Sequence, residues 1–158
     1  MKTNRQAGFT LIELLIVTII VGILATIVGV TYSGVQVKNR NQERQANVNS
    51  LRSHLETYYA QHDHYPTFDE LADAKWRGDN LKDLPSDALR DPSWSASLKD
   101  CTAKNEAIAS QLPTEKCYSY QVSTADGSAC DNKETPCAQY TLTATLEGGD
   151  KYVKASLN

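Results

Sequence analysis

Histidine is scarce in this chain, with three in 158 residues. Neither a serine–histidine–acid frame nor a metal frame can be assigned around them, so an enzyme is the weakest functional class. His62 and His64 flank Asp63 at the end of a helical pattern, with His54 two turns earlier, and they form no recognisable ligand set. The acids Asp79, Asp83, Asp87 and Asp91 lack the loop glycine and closing glutamate of an EF-hand. Cysteine is absent before residue 101. The four that follow, Cys101, Cys117, Cys130 and Cys137, lack the close C-x2–4-C pairs usual in zinc sites. Neither a metal nor a cofactor is implied. Basic residues are fewer than acidic ones, and the net charge of -3 argues against a broad nucleic-acid surface.

Charge is missing altogether from Leu14 to Val37. As a helix this run extends about 36 Å, enough to cross a hydrocarbon core of about 30 Å, and a transmembrane helix is the expectation. A secretory signal peptide fits poorly, because the apolar run is too long and no A-x-A-like cut follows it. Thr18, Gly22 and Thr26, and likewise Ala25, Gly29 and Ser33, repeat every four residues. That spacing lets helix backbones approach closely in apolar surroundings. Glu13 stands at the start of the run, among Phe9, Leu11, Ile12, Leu14 and Leu15. Insertion scales put Asp at the centre of a membrane helix at about 2.5–3.5 kcal/mol, so such an acid points to a functional residue. With a membrane-targeting N-terminus, an even cysteine count reads as disulfides in an oxidising compartment.

The stretch "GFTLIE" at residues 8 to 13, after a leader carrying Lys2 and Arg5, resembles the prepilin processing site of type IV pilins and the related pseudopilins of type II secretion. The resemblance is strong through about residue 65 and looser beyond. It implies cleavage between Gly8 and Phe9 by a prepilin peptidase that also methylates the new amine of Phe9. It implies that Phe9 and Glu13 act in filament assembly, the glutamate of one copy meeting the amine of the next. It further implies an assembly ATPase, an inner-membrane platform protein and a homopolymer of subunits. Before assembly the subunit would sit in the lipid of the cytoplasmic membrane with its head outside the cytoplasm; afterwards it would lie in an extracellular filament. Many relatives carry proline where this chain has Val30, so whether the helix loosens near Gly29 and Gly34 is open. The fold implied is α+β and type IV pilin-like. A long N-terminal helix protrudes in its hydrophobic half and packs in its amphipathic half against a roughly three-stranded antiparallel sheet.

Beyond Lys38 the residues agree with that picture. Val48, Leu51, Leu55, Tyr58, Tyr59 and His62 recur at three- and four-residue steps, with Arg44, Asn47, Arg52 and Glu56 interspersed. The spacing predicts one helix from about residue 10 to 62, ending ahead of Tyr65-Pro66. Thr67 and Glu70 form a capping-box pattern for a short helix through about Ala74. Residues 76–100 read as a connecting loop with short helical turns, and Trp76 and Trp94 as packing residues. A short helix is expected near 103–111, broken by Pro113.

"CYSYQVS", "YTLTATL" and "KYVKASL" read as three strands. Tyr140, Leu142, Ala144 and Leu146 point inward in the second, with its threonines outward. Val153, Ala155 and Leu157 share one face in the third, and Gly148-Gly149 supplies the hairpin. Of three possible pairings, Cys130–Cys137 and Cys101–Cys117 are preferred: one closes a polar loop, the other staples the short helix to the first strand. The expected organisation is a leader over 1–8, a transmembrane and filament-core helix over 9–37, and a disulfide-stapled head over 38–158. The expected function is a structural subunit of a type IV pilus. The alternative is a pseudopilin of type II secretion or of a DNA-uptake pseudopilus, although no calcium loop of the kind common in secretion pseudopilins can be read. Nothing in the sequence supports DNA or a host surface as a ligand.

Overall fold

The computed structural model describes residues 9–93, 108–109, 113–114 and 116–158, with backbone alone at 28–33 and 109. Gly8, Trp94, Cys101 and most of the expected 103–111 helix lie outside the described residues. The chain divides into two compact units, 1–38 and 39–158.

The first unit is the N-terminal part of helix α1, Leu11–His62, which is α-helical throughout, including the backbone around Gly29 and Gly34. Its apolar side chains are open on every side: Phe9 is 84% exposed, Leu11 90%, and those from Ile12 to Ile27 are at least half exposed. Among the described residues no helix is long and apolar enough to cross a membrane. The transmembrane helix expected within residues 9–37 is therefore withdrawn. A spanning helix needs about 20 consecutive predominantly apolar residues, and Glu13, Thr18, Gly22 and Thr26 interrupt the apolar side chains of the described part.

The second unit is the head. Its part of α1 turns Val48, Leu51, Leu55 and Tyr58 into the core, where they meet Tyr118, Tyr120, Tyr140, Leu142 and Ala144 of the sheet. The helix stops because Asp63 takes a left-handed conformation (φ 59°) while its N–H still bonds to the Tyr59 carbonyl at 2.8 Å. Tyr65 and Pro66 then bury completely against the sheet. Helix α2, Phe68–Ala72, opens on the Thr67–Glu70 capping box. It stops two residues short of the expected end because Asp73 breaks it and caps helix α3, Ala74–Asn80, through the N–H groups of Lys75 and Trp76. That second helix replaces the start of the expected loop, and Trp76 packs partly buried on the core.

The sheet holds four strands in the order β1-β2-β3-β4. Strands β2 (Tyr118–Ser123), β3 (Gln139–Thr145) and β4 (Lys151–Ala155) form the antiparallel meander that covers the long helix. Strand β1, Ile108–Ala109, runs parallel to Tyr118 and Ser119 at the edge, so this part of the expected helix is extended instead. The β-branched Ile108 is fully buried there. The β3–β4 turn carries Gly148 and Gly149 at φ 110° and 94°, a backbone that a side chain would strain.

Register decides two faces that alternation alone left open. Leu142 lies opposite Lys154 and Ala144 opposite Tyr152, so the core side of β4 is occupied by Tyr152 and Lys154. Val153, Ala155 and Leu157 do share a face, but it is the solvent one, with Val153 51% and Leu157 71% exposed. A one-residue offset inverts every side chain of a strand. Thr143, expected outward, is buried.

Candidate functional site

The expected processing motif falls at the start of α1. Gly8 lies outside the described residues; Phe9 precedes the helix and Glu13 lies in its first turn. Thr10 occupies the cap position, and its carbonyl accepts the first helical bond from Leu14 N–H at 3.3 Å. Its backbone N–H and its hydroxyl both donate to Glu13 Oε2, each at 3.0 Å, while Glu13 N–H returns to Thr10 Oγ1 at 3.3 Å. This is a reciprocal capping box. The backbone and hydroxyl donors of Thr10 hold the Glu13 carboxyl below the usual range. The signature Thr-x-x-Glu is present in "TLIE" as it is in "TFDE". Sequence reasoning used it for the second helix and overlooked it in the first, where apolar residues dominate the pattern.

Further along, the Thr18 hydroxyl donates to the Leu15 carbonyl at 2.8 Å and the Thr26 hydroxyl to Ile23 at 2.7 Å. The small-residue row therefore shows no free donor, and a Cβ at Gly22 would meet nothing within 4 Å. What remains among the described side chains of this part of the helix is an exposed apolar surface with one acid at its end. An exposed apolar patch of this extent marks an interaction surface.

Two polar clusters brace the head, and neither was read from the sequence. Arg44, taken there as one of the polar residues between apolar ones, is 1% exposed. Its Nε and Nη2 fork onto Asp91 at 2.7 and 3.0 Å, Nη2 also reaches Ser93 Oγ at 2.9 Å, and Nη1 reaches Asn41 Oδ1 at 2.8 Å and Glu147 Oε1 at 3.2 Å. Arg40 pairs with the same Glu147 through Nη2 at 2.7 Å. Arg40's hydrogen bonds bring the Glu147 carboxyl down to about 2. Burial opposes the charge on Arg44, but Asp91 and Glu147 outweigh it and raise its pKa. Asn41 matches the Glu147 backbone, accepting its N–H at 2.8 Å and donating to its carbonyl at 3.2 Å. One turn of α1 thus grips both the β3–β4 turn and the 91–93 segment. A cavity of about 350 Å³ beside it is lined by Arg40, Arg44, Ser93, Lys116 and the turn.

The second cluster centres on Glu56, which accepts from Tyr65 at 2.8 Å, Tyr140 at 2.7 Å and the Leu157 N–H at 3.3 Å. Burial first, then the bond to Glu56, pushes the Tyr65 phenol up to about 12. The same two causes raise Tyr140 further still.

Cys130 and Cys137 form a disulfide seven residues apart in sequence. The loop it closes is tied to the bend after α1: Tyr65 N–H donates to the Cys137 carbonyl at 2.8 Å and Asn132 Nδ2 to the Tyr65 carbonyl at 2.8 Å. Cys117 is also disulfide-bonded, and Cys101 lies outside the described residues. His62 stacks on Tyr58 with centroids 4.2 Å apart, and His54 Nδ1 bonds to the Ser50 carbonyl at 2.8 Å. Among the described residues no group of three or more His, Cys, Asp or Glu side chains is placed to hold a metal ion.

A family model described as the prokaryotic N-terminal methylation motif matches residues 3–29. The chain is 35% identical over 74 residues to the type II secretion system core protein G of Aeromonas hydrophila, covering 47% of this chain and 52% of that protein. It is 35% identical over 65 residues to the core protein G of Escherichia coli (strain K12), covering 41% and 45%. It is 32% identical over 104 residues to the type IV major pilin protein PilA of Myxococcus xanthus (strain DK1622), covering 65% of this chain and 43% of that pilin. The N-terminal part of the chain is thus similar to the pseudopilins and pilins of these systems. It spans about half the length of the curated relatives it matches. No solved structure matches it. The matched motif includes the segment that the Thr10–Glu13 capping box organises.

Proposed function

We propose that this chain is a pseudopilin: a membrane-associated precursor cut between Gly8 and Phe9, methylated at Phe9, and polymerised into a short helical filament of a type II secretion pseudopilus. The observation that carries the reading is the set of core protein G relatives, whose similarity falls on less than half of this chain. This puts the pseudopilin ahead of the pilus subunit that the sequence alone favoured. A prepilin peptidase with N-methyltransferase activity, an inner-membrane platform protein and an assembly ATPase are the partners the reading requires.

Physical chemistry supports polymerisation. Burying a Leu, Ile or Val side chain is worth about 1.5–3 kcal/mol, and the N-terminal unit leaves a dozen or so such side chains at least half exposed. Stacked copies would cover them. An amine freed at Phe9 would meet Glu13 of an adjacent copy, and a contact between different patches of two copies does not close, so it builds a helix. Leaving one of those charges buried and unpaired would cost about 3–5 kcal/mol, which fixes the stagger.

A second reading, a type IV pilus subunit, is favoured by one observation: the match to the Myxococcus pilin runs over 104 residues, well past the helix. Deleting the gene tests the two together. Loss of proteins from the culture medium, with no surface fibres in the parent, supports the pseudopilin; loss of long surface fibres with unchanged secretion supports the pilus. In either case mass spectrometry of assembled subunits should show a chain starting at methylated Phe9. Subunits that keep Met1 would defeat both.

A further inference from the structure

We infer that Thr10 is a positioning residue for Glu13, holding one carboxylate oxygen so that the other is left to meet the freed amine of a neighbouring copy. The inference rests on the polymerisation proposed above. Both donors that Thr10 offers converge on Oε2, each at 3.0 Å. Among the described residues nothing donates to Oε1. An ionised carboxylate has room for about four hydrogen bonds, so the cap and an ion pair are compatible. A glutamate on an open helix surface samples several rotamers and loses that freedom when it pairs. Here the loss is taken before the partner arrives, which is the general advantage of preorganisation. The Thr10 hydroxyl can do this because it gives its proton to Oε2 while its lone pair receives the Glu13 N–H at 3.3 Å. The helix N-terminus favours the carboxylate in the same place.

Replacements separate the cap from the charge. Thr10→Val keeps the shape and removes the hydroxyl; Thr10→Ser keeps the hydroxyl. Glu13→Gln keeps an acceptor for both Thr10 donors, since glutamine also serves in a capping box, but removes the charge. Filaments sheared from cells expressing the full chain are measured relative to total subunit. The expected result is a loss of about three- to tenfold for Thr10→Val, the population change that a lost cap produces, with Thr10→Ser within about twofold of the parent. Glu13→Gln should lose filaments by itself, and the double variant T10V/E13Q should be no worse than E13Q, because a positioning residue has nothing left to position. Parental yield from Thr10→Val, no rescue by serine, or a double variant falling by the product of the single losses would overturn the inference. A second measurement does not depend on filaments: the carboxyl titration of Glu13, followed by NMR on the full chain in detergent micelles. Its midpoint should rise in Thr10→Val and hold in Thr10→Ser, and an unchanged midpoint in both overturns the coupling. A shifted midpoint in a parent chain that never assembles upholds the coupling and sinks the polymer reading instead.

Discussion

Replacing Arg44 by alanine tests the account of the head most severely. All five N–H groups of this side chain are engaged, with Asp91, Ser93, Asn41 and Glu147 as acceptors. The Asp91 side chain is 2% exposed, so Arg44→Ala strands a carboxylate whose one other donor among the described residues is the Ser93 N–H at 2.7 Å. Breaking a buried pair from one side costs about 3–5 kcal/mol, against a total of about 5–15 kcal/mol for a domain. For a head of this size that corresponds to a fall in Tm of roughly 10–20 °C. The measurement is urea and thermal unfolding of the full chain in detergent, disulfides oxidised, followed by tryptophan fluorescence. Removing both charges, as in R44M/D91L, should recover most of the loss, because neither residue is then left buried and unpaired. A loss below about 1 kcal/mol for Arg44→Ala, or single losses that simply add in R44A/D91A, would refute the reasoning.

Other consequences can be checked on the same material. Serine at both Cys130 and Cys137 should cost roughly 2–3 kcal/mol, from the short loop released in the unfolded chain, and amide exchange should quicken at Tyr65, whose N–H is held by the Cys137 carbonyl. Tyr140→Phe removes a donor from Glu56 and should destabilise the head by about 1–3 kcal/mol, read by urea unfolding. In alkaline titration the Tyr65 phenol stands near 12 in the folded chain against 10 unfolded. The folded state therefore holds its proton more tightly, and that contribution is complete below pH 10 and lost as pH rises toward 12. Tyrosinate absorbance should rise together with unfolding in that window; ordinary titration near 10 with the fold intact would contradict the burial of Tyr65.

Local signals in this chain were legible because the physics that sets them is local. The three- and four-residue spacing from Val48 to Tyr58 located the packed face of α1, and Tyr65-Pro66 marked where the chain leaves the helix. Thr67 and Glu70 fixed the start of α2, and Gly148-Gly149 the turn. The missed Thr10–Glu13 box carries the same local signature and was hidden by the apolar run around it. The second short helix escaped because Asp73 both ends one helix and begins the next, which a reading of Thr67 alone does not anticipate.

Tertiary structure decided the remainder. Arg44 looks like any polar residue on a helix until Asp91, 47 residues away, and Glu147, 103 away, close on it. The solvent side of β4 could not be known from alternation, because Val153, Ala155 and Leu157 alternate as well as Tyr152 and Lys154; only the pairing of Leu142 with Lys154 selects a side. Ile108–Ala109 became a strand because β2 offered an open edge. By itself, then, the sequence determined the N-terminal motif, the long helix, the caps and the strand segments, each set by residues within a few positions of one another. Buried charge pairing, strand register and the inward face of β4 depend on groups brought together from far along the chain, and only the folded molecule chooses among them.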